Sequence, residues 1–223
     1  MLKPILYNNW RSSSSWRTRI ALELKGIEYE YRAVNLFDGE QNNEKHLEMN
    51  PFGLVPVFIF DGKVYTESMA IIEFLEEKFP EKRKLFPNSA EDRAVVRSLA
   101  YQITLNIQPI QNMRVRNRVG QNDPKKVADF VKYFTETGFE ALEKELQKTS
   151  GIYAFGDTVT LADVVIPSQV ANALRYGVSM EKYPTIQRIN ETLGKLPEFI
   201  EADCWHQPDT PENKKKVFTD STN

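Results

Sequence analysis

Leu54-Val55-Pro56-Val57-Phe58-Ile59-Phe60-Asp61-Gly62-Lys63-Val64-Tyr65-Thr66-Glu67-Ser68 is the stretch on which the fold turns. Val57 to Phe60 and Lys63 to Tyr65 are rich in β-branched and aromatic residues, and they flank Asp61-Gly62. That pair tolerates the positive φ angles of a two-residue hairpin turn, so two antiparallel strands are predicted. Ile71, Ile72, Leu75 and Phe79 then recur at helical spacing until Pro80 stops them. Upstream, Ile5-Leu6-Tyr7 reads as a short apolar strand, interrupted by Asn8, Asn9 and a run of serines. Trp16, Ile20, Ala21 and Leu24 share one helical face, and Gly26 ends it. Tyr29, Tyr31 and Ala33 alternate with Glu28, Glu30 and Arg32, which is the period of a strand. The polar stretch from Phe37 to Glu48 reads as a loop. The order β-α-β, loop, β-β-α predicts a small sheet with helices packed against it, an α/β domain.

The texture changes after Pro80. Glu81-Lys82-Arg83-Lys84 is a charged connector, closed by Phe86-Pro87-Asn88-Ser89, and no strand pattern follows. Ala90 to Asn106, Asp129 to Lys148, Leu161 to Tyr176 and Ile186 to Leu196 each read as helices. The division predicted is an α/β domain over 1–83, a linker over 84–88 and an all-helical domain over 89–223, with a mobile polar tail from Asp209 onward.

Composition excludes several classes of function. Twenty-nine basic against 31 acidic residues leave a net charge of −2, so nothing electrostatic calls for a nucleic-acid partner. The single cysteine, Cys204, cannot form an intrachain disulfide, which fits a reducing compartment. With only His46 and His206 beside it, the chain has too few soft ligands for a zinc site, and no metal is expected. Neither histidine sits in a recognisable nucleophile-base motif. No apolar run approaches the ~20 residues of a membrane helix. Met1-Leu2-Lys3-Pro4 enters the first strand with no apolar signal segment, so a soluble, cytoplasmic protein without a membrane partner is expected.

Four short constellations remain. Arg11-Ser12-Ser13-Ser14-Ser15-Trp16-Arg17 stands where the first helix begins. One serine there caps the helix. A hydroxyl in that positive field, near Arg11 and Arg17, also donates to an anion and would lower the pKa of a bound thiol. Such a serine stabilises the thiolate and does not itself attack. Leu54-Val55-Pro56-Val57 is either an ordinary strand start or a cis-proline turn. The turn would leave the Val55 N–H and C=O open to a peptide-like ligand. Spacing alone favours the former. Thr66-Glu67-Ser68 is either a helix cap with a stabilising acid, or a site in which Ser68 holds a ligand carboxylate and Glu67 faces an ammonium. Thr160 and Asp163, in Gly156-Asp157-Thr158-Val159-Thr160-Leu161-Ala162-Asp163, form a capping box with Asp in place of Glu. Val159 and Val164 make its hydrophobic staple, and this constellation is structural.

Together these features resemble a cytosolic glutathione transferase. The Val-Pro turn, the Glu-Ser helix start and Gly-Asp-x-x-Thr-Leu-Ala-Asp are the superfamily's marks. Arg11 to Leu22 resembles the signature of the zeta class, the class of maleylacetoacetate isomerase. Gly151-Ile152-Tyr153, Gln169-Val170-Ala171-Asn172-Ala173, Tyr183-Pro184-Thr185-Ile186 and Gln207-Pro208-Asp209-Thr210-Pro211 extend the resemblance from Lys3 to Pro211. It implies a thioredoxin-like amino-terminal domain that binds glutathione, followed by an all-helical domain that supplies the second-substrate pocket.

Carried over by position, Ser12 is the residue that stabilises the glutathione thiolate, with Ser13 the next candidate. Ser14, Ser15, Trp16, Arg17, Gln41, Val55 (through its backbone, before a cis Pro56), Glu67, Ser68, Gln108 and Asn112 complete the implied glutathione site. Arg175 would pair with a substrate carboxylate, as its planar fork suits, and Arg114 is a second substrate-binding position. The implied reaction is the glutathione-dependent cis–trans isomerisation of maleylacetoacetate to fumarylacetoacetate, with a side transferase activity toward α-halo acids. The partners implied are glutathione, a small dicarboxylate or electrophilic substrate, and a second copy in a homodimer. Three departures bear on the second substrate. Ser14 stands where the family usually has cysteine, Glu67 where the class commonly has glutamine, and Arg114 where a small polar residue is common. Two other readings stay open, a detoxifying transferase that conjugates electrophiles and a non-catalytic binding protein on the same fold.

Overall fold

A computed structural model describes residues 3–121 and 123–216. These divide into two compact units, one of residues 3–83 with 197–216 and one of residues 84–196.

In the first unit the chain runs β1 (Ile5–Asn8), α1 (Ser13–Leu24), β2 (Glu30–Ala33), α2 (Glu44–Met49), β3 (Val57–Phe60), β4 (Lys63–Thr66) and α3 (Ser68–Lys78). The sheet order is β2-β1-β3-β4, parallel between β1 and β2 and antiparallel elsewhere. Leu6 sits opposite Tyr31 on one side and Phe58 on the other. The predicted hairpin forms, with Asp61 at φ 48° and Gly62 at φ 75°, the two positive angles that its turn requires. Leu6, Val57, Phe58, Ile20, Leu22, Ile71, Ile72 and Leu75 are fully buried and make the core. The stretch expected as a loop contains the six-residue α2, capped by the Asn43 side chain, which accepts from the His46 N–H at 2.8 Å. Six residues with one buried side chain give no periodic signal.

The second unit is built on helices: α4 (Ala90–Tyr101), α5 (Met113–Gly120), α6 (Pro124–Thr149), α7 (Leu161–Arg175) and α8 (Pro184–Leu193). The single helix expected over 90–106 gives way after Tyr101 to a π-helical turn, Gln102–Ile107, just ahead of Pro109. α6 passes that turn so closely that a Cβ on Gly138 would lie 2.4 Å from Ile107 Cγ1. Two buried carboxylates fasten the unit. Glu143 of α6 accepts from the N–H groups of Thr185 (2.8 Å) and Ile186 (3.0 Å), capping α8 from a neighbouring helix. Asp163 accepts from Thr160 N–H (2.8 Å), Thr160 Oγ1 (3.0 Å) and Ala154 N–H (2.8 Å), with Val159 and Val164 buried beside it.

The carboxy-terminal boundary differs from the expectation. Residues 197–216 pack with the amino-terminal unit and not with the helical one. Their short helix α9 (Pro197–Glu201) lies against α1, and Ala202 O accepts from Arg19 Nε at 2.9 Å. Asp209, expected to begin a mobile tail, accepts a hydrogen bond from Trp10 N–H at 3.0 Å. The part of that tail over 217–223 lies outside the described residues. Among the described residues no helix is long and apolar enough to cross a membrane, and no cluster of candidate metal ligands forms.

Burial pushes the Asp163 carboxyl up to about 6, against the pull of its three donors. Between about 4 and 6 the folded chain holds a proton that the unfolded chain has released, so this group's contribution falls as pH rises through that window. Asp163→Asn should flatten that part of the stability profile. It should also cost about 1–3 kcal/mol at pH 7, because an amide N–H₂ is set against a donor. Urea unfolding of both proteins across this range checks it.

Candidate functional site

β1 and β4 run in one direction and β3 in the other, with Tyr7 opposite Val57 and Val57 opposite Thr66. The chain therefore leaves β1 toward Ser12, enters β3 from Val55-Pro56 and leaves β4 into Glu67-Ser68, all at one end of the sheet. The end beyond the carboxyl termini of parallel strands is where open α/β sheets take their ligands.

The turn from β1 into α1 is held from below by Arg19, whose side chain is fully buried. Its Nη1 donates to Asn8 Oδ1 (3.0 Å) and Asn9 O (3.2 Å), and its Nη2 donates to Trp10 O (3.1 Å). Burial lowers its pKa, opposed by the nearby Tyr31, Tyr29 and Asp209. Asn9 locks the same turn, accepting from Arg11 N–H on Oδ1 (3.1 Å) and donating from Nδ2 to Val34 O (3.0 Å).

Ser12 is the N-cap of α1 and its Oγ accepts from Ser15 N–H at 3.2 Å. One lone pair is thus engaged while its own hydroxyl proton remains to be donated. Ser13, in the first turn, is half-buried. The other two serines are committed elsewhere. Ser14 Oγ accepts from Arg17 Nη2 (3.0 Å), and Ser15, fully buried, accepts from Asn9 N–H (3.4 Å). Trp16 is buried edge-on against Trp205, with ring centroids 5.5 Å apart. Ser15 and Trp16, expected among the ligand contacts, are both buried at this turn.

Arg17 links the first constellation to the third. Its Nε donates to Ser68 Oγ at 2.8 Å, while Nη1 is buried with no partner among the described residues. Burial pushes its pKa down to about 10, with Glu67 pulling the other way, so it stays charged at neutral pH. Glu67 is exposed and holds φ at 63°, an angle that a side chain rarely adopts and that functional sites often retain. The Val55–Pro56 peptide is cis. The sheet ladder begins only at Val57, so the N–H and C=O of Val55 stand outside it. The preceding carbonyl, of Leu54, is held by His46 Nε2–H and Asn50 Nδ2, both at 2.9 Å. Gln41 lies in a 3₁₀ turn, its Oε1 buried without a partner among the described residues. This end of the sheet offers hydroxyl donors and an arginine for anions, a carboxylate for a cation, and a free peptide edge.

In the helical unit, Asn112 caps α5, accepting from Arg114 N–H at 3.1 Å, and Arg114 is exposed. Gln108 is half-buried where the π turn ends. The buried residue of this segment is Gln111, which the sequence reading passed over. Its Nε2 donates to Thr135 Oγ1 (2.8 Å), and its Oε1 accepts from Gln169 Nε2 (3.2 Å) and from Asn172 Nδ2. Asn172 Oδ1 in turn accepts from Arg175 Nη1 at 2.9 Å, so the exposed guanidinium is oriented from the core.

Residues 3–77 match the family model for the glutathione S-transferase N-terminal domain, and residues 110–201 match a glutathione S-transferase C-terminal domain. The mouse (Mus musculus) protein named maleylacetoacetate isomerase is 46% identical over 94% of this chain and 96% of its own. A bacterial maleyl pyruvate isomerase, described as a zeta-class glutathione S-transferase, superposes with a TM-score of 0.90 at 38% identity, over 93% of this chain and all (100%) of that one. The chain belongs to the zeta class of the glutathione S-transferase family. A solved relative, maleylacetoacetate isomerase of Anaeromyxobacter dehalogenans with dicarboxyethyl glutathione and citrate in its active site, has a TM-score of 0.85 at 39% identity, over 94% of this chain and 98% of that one. In this transferase, as the sequence predicted, a thioredoxin-like domain precedes a helical one.

Arg19 supports the site from below, and its shape matters as much as its charge. Arg19→Lys should lower stability by at least about 2 kcal/mol, since one ammonium cannot reach four oxygens set around a planar fork. Arg19→Met should cost at least about 3 kcal/mol, because several buried oxygens lose their donor. Thermal unfolding of the three proteins measures both.

Proposed function

We propose that this zeta-class transferase binds glutathione at the sheet end described above and isomerises maleylacetoacetate to fumarylacetoacetate. The observation that carries the reading is the Ser12 hydroxyl at the N-terminus of α1, its lone pair engaged and its proton unspent. A thiol delivered there meets a donor and the positive end of a helix, and both favour the thiolate. Ser13 is the second donor.

The rest of the tripeptide is matched group by group. The γ-glutamyl ammonium faces Glu67, and the α-carboxylate meets Ser68 at the start of α3, with the unpaired Nη1 of Arg17 within its reach. The cysteinyl peptide unit pairs with the free N–H and C=O of Val55 beside Pro56, as an added strand. Gln41, Gln108 and Asn112 complete the proposed contacts. Ser14, tied to Arg17, orders the arginine and carries no redox chemistry, unlike the cysteine usual in the family.

The reaction needs no oxidant and returns glutathione unchanged. The thiolate adds to one carbon of the cis double bond, and the electron pair moves onto the conjugated carbonyl as an enolate. The former double bond, now single, rotates. The enolate then collapses, re-forms the double bond as trans and expels the thiolate. The protein's share is to keep the thiol ionised, to orient the alkene and to stabilise developing negative charge. Arg175 is the proposed partner of a substrate carboxylate, with Arg114 the second. The same thiolate would displace halide from α-halo acids. A cytoplasmic homodimer is part of the proposal.

Ser12→Ala should raise the pKa of the bound thiol by about 1–2 units and lower the isomerase rate at saturating glutathione and neutral pH by about 10- to 10²-fold. The rate of the variant should recover as pH rises through the new pKa, because the thiol then ionises without the serine's hydrogen bond. Ultraviolet titration of the thiolate and a pH–rate profile read both, and an unchanged rate removes Ser12 from the mechanism. Faster turnover of an aryl halide than of maleylacetoacetate or maleylpyruvate would favour the detoxifying transferase.

A further inference from the structure

The carboxy-terminal segment reaches the turn that carries Ser12. Asp209 Oδ2 accepts from Trp10 N–H at 3.0 Å, and Asp209 Oδ1 accepts from the Tyr31 hydroxyl. The Trp10 carbonyl, on the other side of the same residue, accepts from Arg19 Nη2 at 3.1 Å. Trp10 is therefore gripped through both of its backbone polar groups, two residues before Ser12. Ser12 N–H closes the turn on Asn9 O at 3.2 Å.

The segment that brings Asp209 is itself anchored. Gln207, buried, donates from Nε2 to Glu201 O (2.8 Å) and Asp203 O (2.6 Å). Thr210, also buried, donates from Oγ1 to Cys204 O (2.9 Å), and Trp205 packs edge-on against Trp16 of α1. The charged and titratable groups facing this corner are Arg19, Tyr29, Tyr31, Cys204 and Asp209. Burial keeps the Tyr31 phenol protonated well above neutral pH, so its donor role does not vary with working pH.

We infer that Asp209 is a positioning residue for the thiolate site: its carboxylate fixes the Trp10 peptide and thereby aims the Ser12 hydroxyl at the sulfur of bound glutathione. The inference rests on the role proposed for Ser12. It gives residue 209 a share in the reactivity of a hydroxyl at residue 12.

Four full-length proteins test it: wild type, Ser12→Ala, Asp209→Ala and the double variant, with Asp209→Asn as the milder change should the alanine variant not fold. For each, the pKa of glutathione-bound thiol is titrated by ultraviolet absorbance, and kcat and KM are measured separately. Asp209→Ala should raise the thiol pKa by about half a unit to one unit and lower kcat about tenfold at neutral pH, with KM for the second substrate unchanged. In the Ser12→Ala background the same change should add nothing, because its effect runs through Ser12. Additive losses overturn the inference, as does a wild-type thiol pKa in Asp209→Ala and Asp209→Asn while Ser12→Ala shifts it. If Ser12→Ala leaves the thiol pKa unmoved, the reading of Ser12 fails first and the role of Asp209 falls with it.

Discussion

The guanidinium of Arg19 is the interaction on which the amino-terminal unit depends. Removing a charged group from water costs several kcal/mol unless hydrogen bonds replace its hydration. Here every acceptor is a carbonyl or amide oxygen, drawn from Asn8, Asn9, Trp10 and Ala202. A planar fork with five N–H groups can satisfy such a set only in one orientation, which is why the end of β1, the turn into α1 and the segment after α9 are fixed relative to one another. The position of the Ser12 hydroxyl follows from that constraint.

At the same end of the sheet, three different strand termini supply three different kinds of recognition. The turn after β1 offers donors to a sulfur anion, the approach to β3 offers a peptide edge, and the exit from β4 offers a carboxylate beside a helix start. Arg17 joins two of them, since its donors run to Ser14 and to Ser68 and one nitrogen is left over. A buried donor without a partner is costly in a protein that only has to be stable, and it is understandable where a ligand group completes the set. The positive φ of Glu67 belongs to the same pattern of local strain kept where a site requires it.

The helical unit uses buried polar groups for register more than for attraction. Asp163 ties the start of α7 to Ala154, and Glu143 ties α8 to α6, each through backbone N–H groups that would otherwise lack partners. The chain of side chains from Thr135 through Gln111 and Asn172 ends on Arg175, so that an exposed guanidinium inherits its direction from a fully buried threonine. The network links side chains of three helical segments, although Gln169 Oε1 is buried with no partner among the described residues.

Local rules in the chain determined a good deal. Asp61-Gly62 can turn a hairpin because it tolerates two positive φ angles, Ser12 can cap α1 and Asp163 can reach back to Thr160, and each of these depends on neighbours within a few positions. The helices of the second unit were legible where apolar residues recur every three or four positions, and α5 was not, because Met113-Arg114-Val115-Arg116 alternates instead. The tertiary structure alone decided which polar side chains are interior. Arg19, Gln111 and His46 are polar residues that no local pattern marks as interior. Their burial is settled by partners from other segments, among them Ala202, Thr135 and Leu54. The same holds for Asp209, whose partners Trp10 and Tyr31 lie at the other end of the chain. A polar group's place inside a protein is set by whoever satisfies its hydrogen bonds, and partners so far apart in sequence meet only when the chain has folded.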